Sequence, residues 1–432
     1  MTDAATPATG PITPGSVARV GVATAVTALC GYAVLYLAAR DLEPAGFSLF
    51  GVFWGAFGLV TGAANGLLQE ATREVRSTRY LPVPAPESGT GENSSAPTDS
   101  DLSARTRPMR VAAVFGVIAA AVIAGTSPLW SGHVFAESRL LSVTLLSVGL
   151  AGFCLHATLL GMLAGVNLWT QYGALMVTDA TIRVVVAVAA FLLGWGLAGF
   201  LWATVAGAVA WLLVLIVSPP TRAAARLLTP GGTATFLRGA SHSIAAAGAS
   251  AILIMGFPVL LKATSGDLGA AGGVVILAVT LTRAPLLVPL TAMQGNLIAH
   301  FVDQRTSRLR ALVAPAALVT AVGLVGVVLA ASLGPWLLRT AFGADYRAHG
   351  ALLAWLTVAA VAIALLTLTG AATVAAAAHR AYSLGWVSAT VTSVLLLMLP
   401  VGLELRTVIA LLCGPLVGIA VHLAALARLS PG

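Results

Sequence analysis

Apolar stretches of roughly twenty residues, separated by short polar breaks, follow one another along almost the whole chain, at 18–39, 46–69, 109–129, 139–165, 172–194, 197–217, 241–262, 271–299, 310–333, 349–370, 383–400 and 407–428. Each is long enough to cross about 30 Å of hydrocarbon as a helix. The strict alternation of barrel strands is missing, and any other lipid-exposed backbone would leave polar groups unpaired, so helices are predicted. The pattern reads as an all-α polytopic membrane protein of about twelve transmembrane helices. The first stretch is predicted to be a retained helix, because the leader before it carries one cation, Arg19, and "YLAAR" matches a cleavage site only loosely.

Polar segments punctuate this pattern. Residues 1–17 read as a disordered tail, and 71–108, with "VPAPESGTGENSSAPTDSDLSARTRP", as a disordered loop too poor in large apolar residues to fold. Residues 218–240, "SPPTRAAARLLTPGGTATFLRGA", read as a linker and natural hinge. On its two sides, "DLEPAG" at 41–46 and "DLGAAG" at 267–272 follow the first and seventh apolar stretches, 226 residues apart (267 − 41). Gln69 lies 28 residues after Asp41 and Gln294 lies 27 after Asp267. This predicts two pseudo-symmetric six-helix lobes, 18–217 and 241–432, around a central cavity, in the manner of transporters built from parallel repeats.

Composition supports the same class. Of 432 residues, 58% are hydrophobic and 9% charged, with mean hydropathy +0.95, whereas soluble domains carry about a quarter charged residues. With the N-terminus placed in the cytoplasm, fifteen of the 23 basic residues fall in inner segments and six in outer ones, which predicts both termini cytoplasmic in the cell membrane. The net charge of +8 is spread over many short loops and forms no nucleic-acid-binding stripe. Arg at every basic position but Lys262, with abundant Ala and Val, fits a bacterial chain encoded at high G+C. A phosphate-binding GxxxxGK[ST] loop and an HExxH motif are both missing, and Cys30, Cys154 and Cys413 lie scattered, so the chain is expected to be no enzyme and to use no cofactor or metal.

Charged residues inside the apolar stretches cost about 2.5–3.5 kcal/mol each at a helix centre, so each should have a partner or a cavity. Asp179 and Arg183 are four apart and can meet on one helix face, as an intrahelical ion pair or as an ion-responsive carboxylate whose release frees Arg183 for an anion. Arg283 has no acid within four residues and is followed by Pro285 and Pro289; an anionic ligand, Asp179 across the lobes, or snorkelling could satisfy it. Gln69, Arg73 and Arg76, with Glu70 and Glu74 beside them, form a charged helix end at the cytoplasmic mouth. His242, His300 and His422 lie near stretch ends and are expected to be wet. Gly51/Gly55, Gly62/Gly66 and Gly161/Gly165 predict close helix packing.

Three segments resemble the oligosaccharide flippase branch of the multidrug/oligosaccharidyl-lipid/polysaccharide exporter superfamily: "ARDLEPAGFSLFGVFWGAFGLVTGAANGLLQEATREV", "LTRAPLLVPLTAMQGNLI", and "LLRTAFGADYRAHGALLAWLTV" followed by "AAAAHRAY". The resemblance implies alternating access and a polyprenyl-pyrophosphate-linked glycan as cargo, with protons or sodium as candidate coupling ions. Arg283 matches the family's eighth-helix arginine, and Arg73 is a weaker match at the inner mouth. Arg283, Arg183, Arg73, Gln69 and Gln294 are thus the candidate substrate-binding residues and Asp179 the candidate ion-coupling residue. The first apolar stretch lacks the basic residues of lipid II flippases, which points to a cell-envelope polysaccharide precursor. Two alternatives stand beside this: a drug or cation antiporter of the same superfamily, and a polytopic glycosyltransferase using Asp41 and Glu43.

Overall fold

The computed structural model describes residues 14–77, 105–135, 137–230, 232–293, 297, 300–301, 304 and 308–429. Its helices are α1 (Pro14–Ser77), α2 (Pro108–Val134), α3 (Arg139–Gly165), α4 (Trp169–Leu193), α5 (Gly196–Ala206), α6 (Ala210–Val217), α7 (Pro219–Ala225), α8 (Thr233–Ile254), α9 (Phe257–Thr264), α10 (Gly269–Ala292), α11 (Arg308–Ser332), α12 (Gly334–Phe342), α13 (Gly350–Ala375), α14 (His379–Leu397) and α15 (Leu403–Leu429). Among the described residues, nine helices are long and apolar enough to cross a membrane, and α8 with α9, bent by 64°, makes a tenth if the pair is one span. With α1 divided at its break, each of the twelve predicted stretches coincides at least in part with a described helix, although α14 is less apolar than the nine. This is the fold of a multi-pass membrane protein.

The break in α1 falls at Glu43, where φ is 53° and ψ 174°, just before Pro44, which has no N–H to offer the preceding turn. Its counterpart 226 residues on, Gly269, has φ 50°. In both places the Leu one residue after the Asp packs on the Gly four residues later, Leu42 on Gly46 and Leu268 on Gly272. The two near-copies therefore share a positive φ and the same Leu–Gly contact as well as letters. They also meet: the carbonyl of Pro44 abuts Gly273 so closely that a side chain at 273 would overlap it. We call the face carrying this contact distal, and the face on which α1 begins proximal.

The halves join along the second arm of α1, residues 44–77. Gly51 faces Ile276, Gly55 faces Pro258, Gly58 faces Met255, Gly62 faces Ala251, and Gly66 lies against the backbone of Ile244. Glycines at this spacing let two helix backbones approach, which is how membrane helices gain packing energy when lipid is as apolar as their side chains. Gly161 and Gly165 likewise admit α3 against α1, at Leu68 and Val75. At the distal face the Tyr346 hydroxyl donates to the carbonyl of Ala39 (2.9 Å), in the last turn before the break, and its ring packs on Phe47 and Phe342. Toward its start, by contrast, α1 exposes Val22 and Leu29, and nothing lies within 4 Å of a side chain built at Gly21 or Gly31.

Three predicted boundaries shift. Residues 71–77, expected in a disordered loop, continue α1, because Ala71 and Val75 pack with Met162 and the Thr72 hydroxyl donates to the Gly161 carbonyl (3.1 Å). At the other end of that loop, Arg105–Thr106 (β1) pairs antiparallel with Thr229–Pro230 (β2), and residues 78–104 lie outside the described residues. The linker 218–240 is therefore no uniform hinge: Ser218 caps α7 by accepting from the Thr221 N–H, Arg222 donates to the carbonyls of Leu215 and Ile216, and Thr229 is buried. In the tail, residues 14–17 open α1, and 1–13 lie outside the described residues.

Candidate functional site

Arg283 sits in mid-helix on α10 and is 7% exposed. Its Nη1 donates to the carbonyls of Ile254 (3.2 Å) and Leu253 (3.5 Å), and its guanidinium lies over the Phe257 ring, 5.2 Å from the centroid. These partners are the two ends of the bend between α8 and α9. The last carbonyls of a helix lack intrahelical donors and carry the negative end of its dipole, so a cation there satisfies both needs. Nη2, also buried, has no hydrogen-bond partner among the described residues. Inside lipid an unsatisfied N–H of a charged group is costly, and an anionic oxygen is the group best suited to fill it.

Asp179 and Arg183 form the intrahelical pair anticipated from their spacing: Arg183 Nη2 and Nε lie 3.1 and 3.3 Å from Asp179 Oδ1. Arg183 also lies over Phe57, 5.5 Å from the ring centroid. Gly207 is in contact with both charged side chains and leaves them room. His156, buried on α3 and stacked on Phe153, lies within electrostatic reach of both, and its Nδ1 has no partner among the described residues.

The structure does not bring the two arginines into one contact. Positions 55, 58 and 62 of α1 face α8 and α9, and position 57 is turned about 200° from 55 on a helix, toward α3 and Arg183. The second arm of α1 thus stands between Arg183 and Arg283. Asp179, considered from sequence as a partner for Arg283, pairs instead with Arg183. An open apolar groove of about 310 Å³ along α4, lined by Val177, Thr178, Thr181, Ile182, Val185 and Val186, includes none of the charged candidates.

At the proximal end of the seam Gln69 and Arg73 are exposed, and Arg73 bonds Glu70 (2.6 Å) and Glu74 (3.1 Å). Glu70 is buried, pressed on Gly239 of α8. Gln294 lies outside the described residues. Asp41 and Glu43 flank the distal break, Glu43 exposed. Of the three histidines expected to be wet, His242 and His300 are exposed but His422 is fully buried, since its helix face turns inward onto α13 and α14. The sequence alone assigned no role to Tyr346 or His156. Only the "FGADY" turn hinted at Tyr346, and nothing local marks His156.

Searching family models gives no match. An uncharacterized protein of Mycobacterium bovis is 73% identical over 419 residues, covering 97% of this chain and 94% of that protein, and one of Mycobacterium tuberculosis gives the same figures. A second Mycobacterium tuberculosis protein, also described as uncharacterized, is 68% identical over 430 residues, covering 99% of this chain and 96% of its own length. Among solved structures, the inward-facing conformation of a multidrug resistance MATE family transporter of the MOP superfamily aligns with TM-score 0.68 at 14% identity, covering 96% of this chain and 98% of that one. An outward-facing conformation of a MATE family transporter aligns with TM-score 0.58 at 14% identity, covering 96% of each chain. The fold is the one seen in these transporters, with two helical lobes.

Proposed function

The chain belongs to one family with these mycobacterial proteins, and we propose that it is a membrane transporter that moves a lipid-linked oligosaccharide or polysaccharide precursor across the cell membrane by alternating access. The observation that carries this reading is the buried guanidinium of Arg283 at the helix bend, with Nη2 left over. Two carbonyls hold the cation in place and the unpartnered N–H groups suit a phosphate oxygen, for which arginine's fixed donors are fitted. A cargo with a pyrophosphate would meet that need, whereas the small cations of a drug antiporter would be repelled.

The basic-residue bias supports a cytoplasmic proximal face, with both termini on that side. The state is read as inward-facing: the higher score against the inward-facing relative supports it, and so do the distal ties of Tyr346 and Gly273. In this scheme Gln69, Arg73 and Gln294 receive the headgroup at the cytoplasmic mouth. Protonation of Asp179 would loosen its hold on Arg183 and couple an ion gradient to the N-terminal lobe. The six-helix lobes 18–217 and 241–432 would then rock about the seam on α1.

The test is purified protein in proteoliposomes with a fluorescent polyprenyl-pyrophosphate sugar, scored by how much becomes accessible to a reagent on the opposite leaflet. Wild type should flip the lipid, and R283Q should lose at least tenfold of the rate while R428Q, at the helix end, does not. Transport of small cationic solutes with no movement of the lipid would overturn the reading in favour of an antiporter.

A further inference from the structure

His422 is a buried titratable group that none of the preceding roles uses. Its ring is enclosed by α13, α14 and α15 and stacks parallel on Tyr382, at 6.3 Å and 8°. Gly385 makes room for it, since a side chain there would overlap the imidazole. Nε2 lies 3.2 Å from the carbonyl oxygen of Tyr382, and Nδ1 lies 3.0 Å from the hydroxyl of Thr369. A carbonyl only accepts, so Nε2 carries a hydrogen in either charge state.

Thr369 can serve both charge states of the ring. Its hydroxyl is 3.1 Å from the carbonyl of Leu366, so its hydrogen has two destinations. With the ring neutral, Thr369 donates to Nδ1 and Nε2–H donates to Tyr382. When a proton adds to Nδ1, that N–H donates to the Thr369 oxygen, and the hydroxyl hydrogen turns to the second lone pair of Leu366. No heavy atom has to move and no polar group is left unsatisfied. The parallel Tyr382 ring packs on the imidazole in either state. Histidine held only for packing needs one of these arrangements; this site is wired for both.

We propose that His422 is a proton-binding site of the C-terminal lobe, with Thr369 as the rotor that makes protonation reversible within the membrane. The groups facing it are Tyr382 from α14 and Thr369 from α13, and the Tyr382 hydroxyl in turn bonds Ser250 of α8. Helices α10 and α11 also touch α15, and they carry Arg283, Arg308 and Arg310; no charged group among the described residues acts on the imidazole. Proton uptake replaces a neutral hydrogen bond by charge-assisted ones and so draws α13, α14 and α15 together. This holds whatever the cargo, and the ring lies only about 10 Å along α15 from its proximal end, seven residues away (429 − 422).

The experiment uses the full chain in lipid nanodiscs with ¹⁵N-labelled histidine, followed by NMR from about pH 5 to about pH 8. One ring should convert from a doubly protonated form to a neutral form with hydrogen on Nε2. That signal should vanish in H422Q and persist in H156Q. T369V keeps the ring but removes the rotor, and should weaken proton affinity roughly tenfold, moving the midpoint down by about one pH unit. A ring attributable to His422 that keeps one neutral tautomer throughout overturns the proposal, as does an unchanged midpoint in T369V. If H422Q does not fold, the comparison of wild type with T369V decides.

Discussion

Replacing Glu43 by glycine should stabilise the protein. Glu43 has φ 53° and ψ 174°, a region that residues with a Cβ enter at a cost of about 1–3 kcal/mol. Its side chain is exposed and makes no hydrogen bond among the described residues, so nothing visible offsets that cost locally. The second half of the molecule places Gly269 at the equivalent point, with φ 50°, where the same shape is nearly free. The gain from E43G is the strain relieved, less about 0.5–1 kcal/mol for the greater freedom of an unfolded glycine, leaving roughly 0.5–2 kcal/mol. For a chain this long that corresponds to a rise of about 0.5–2 °C in melting temperature. The assay is thermal unfolding in detergent followed by the fluorescence of the nine tryptophans. G269A makes the reciprocal change and should lower the midpoint by a similar amount. A fall with E43G, or indifference to both substitutions, would refute the claim that the break holds a strained residue.

Other outcomes follow from the packing. G66A should push α1 off α8 and cost about 1–3 kcal/mol, seen as a lower melting temperature, because its methyl has only the backbone of Ser243 and Ile244 to meet. D179N should cost on the order of 3 kcal/mol by stranding Arg183, and D179N combined with R183Q should cost less than the sum of the two, as read in a double-mutant cycle. Y346F should lose about 1 kcal/mol with the bond to Ala39. Burial, and then the nearby Glu43 carboxylate, raise the Tyr346 hydroxyl above its ordinary value, so the tie is fully present below about pH 10 and is lost as pH climbs further. Alkaline thermal melts should therefore show a decline in wild type that Y346F lacks.

The helices were legible because each property that defines them is local: a run of apolar residues either is or is not long enough to cross a bilayer. The repeat was legible in its letters, and the structure adds that positions 43 and 269 both take a positive φ. What escaped were features decided by a distant partner. Residues 71–77 look polar, yet Ala71 and Val75 find Met162 on another helix. Glu70 looks like part of a wet helix end, yet Gly239 covers it. His422 stands near a helix terminus, but which way it faces depends on the gap at Gly385. The pairing of Asp179 with Arg183 was foreseeable from a spacing of four, whereas the partners of Arg283 could not be, because backbone carbonyls at a bend leave no mark in the sequence.

The short pairing of Arg105–Thr106 with Thr229–Pro230 also fastens together two helix starts that are far apart in the chain. Thr106 lies two residues ahead of α2 and Pro230 three ahead of α8, so the starts of these two helices are held in one clasp. Lengthening either short connection would uncouple them, so that a pull on the start of α2 would no longer reach α8.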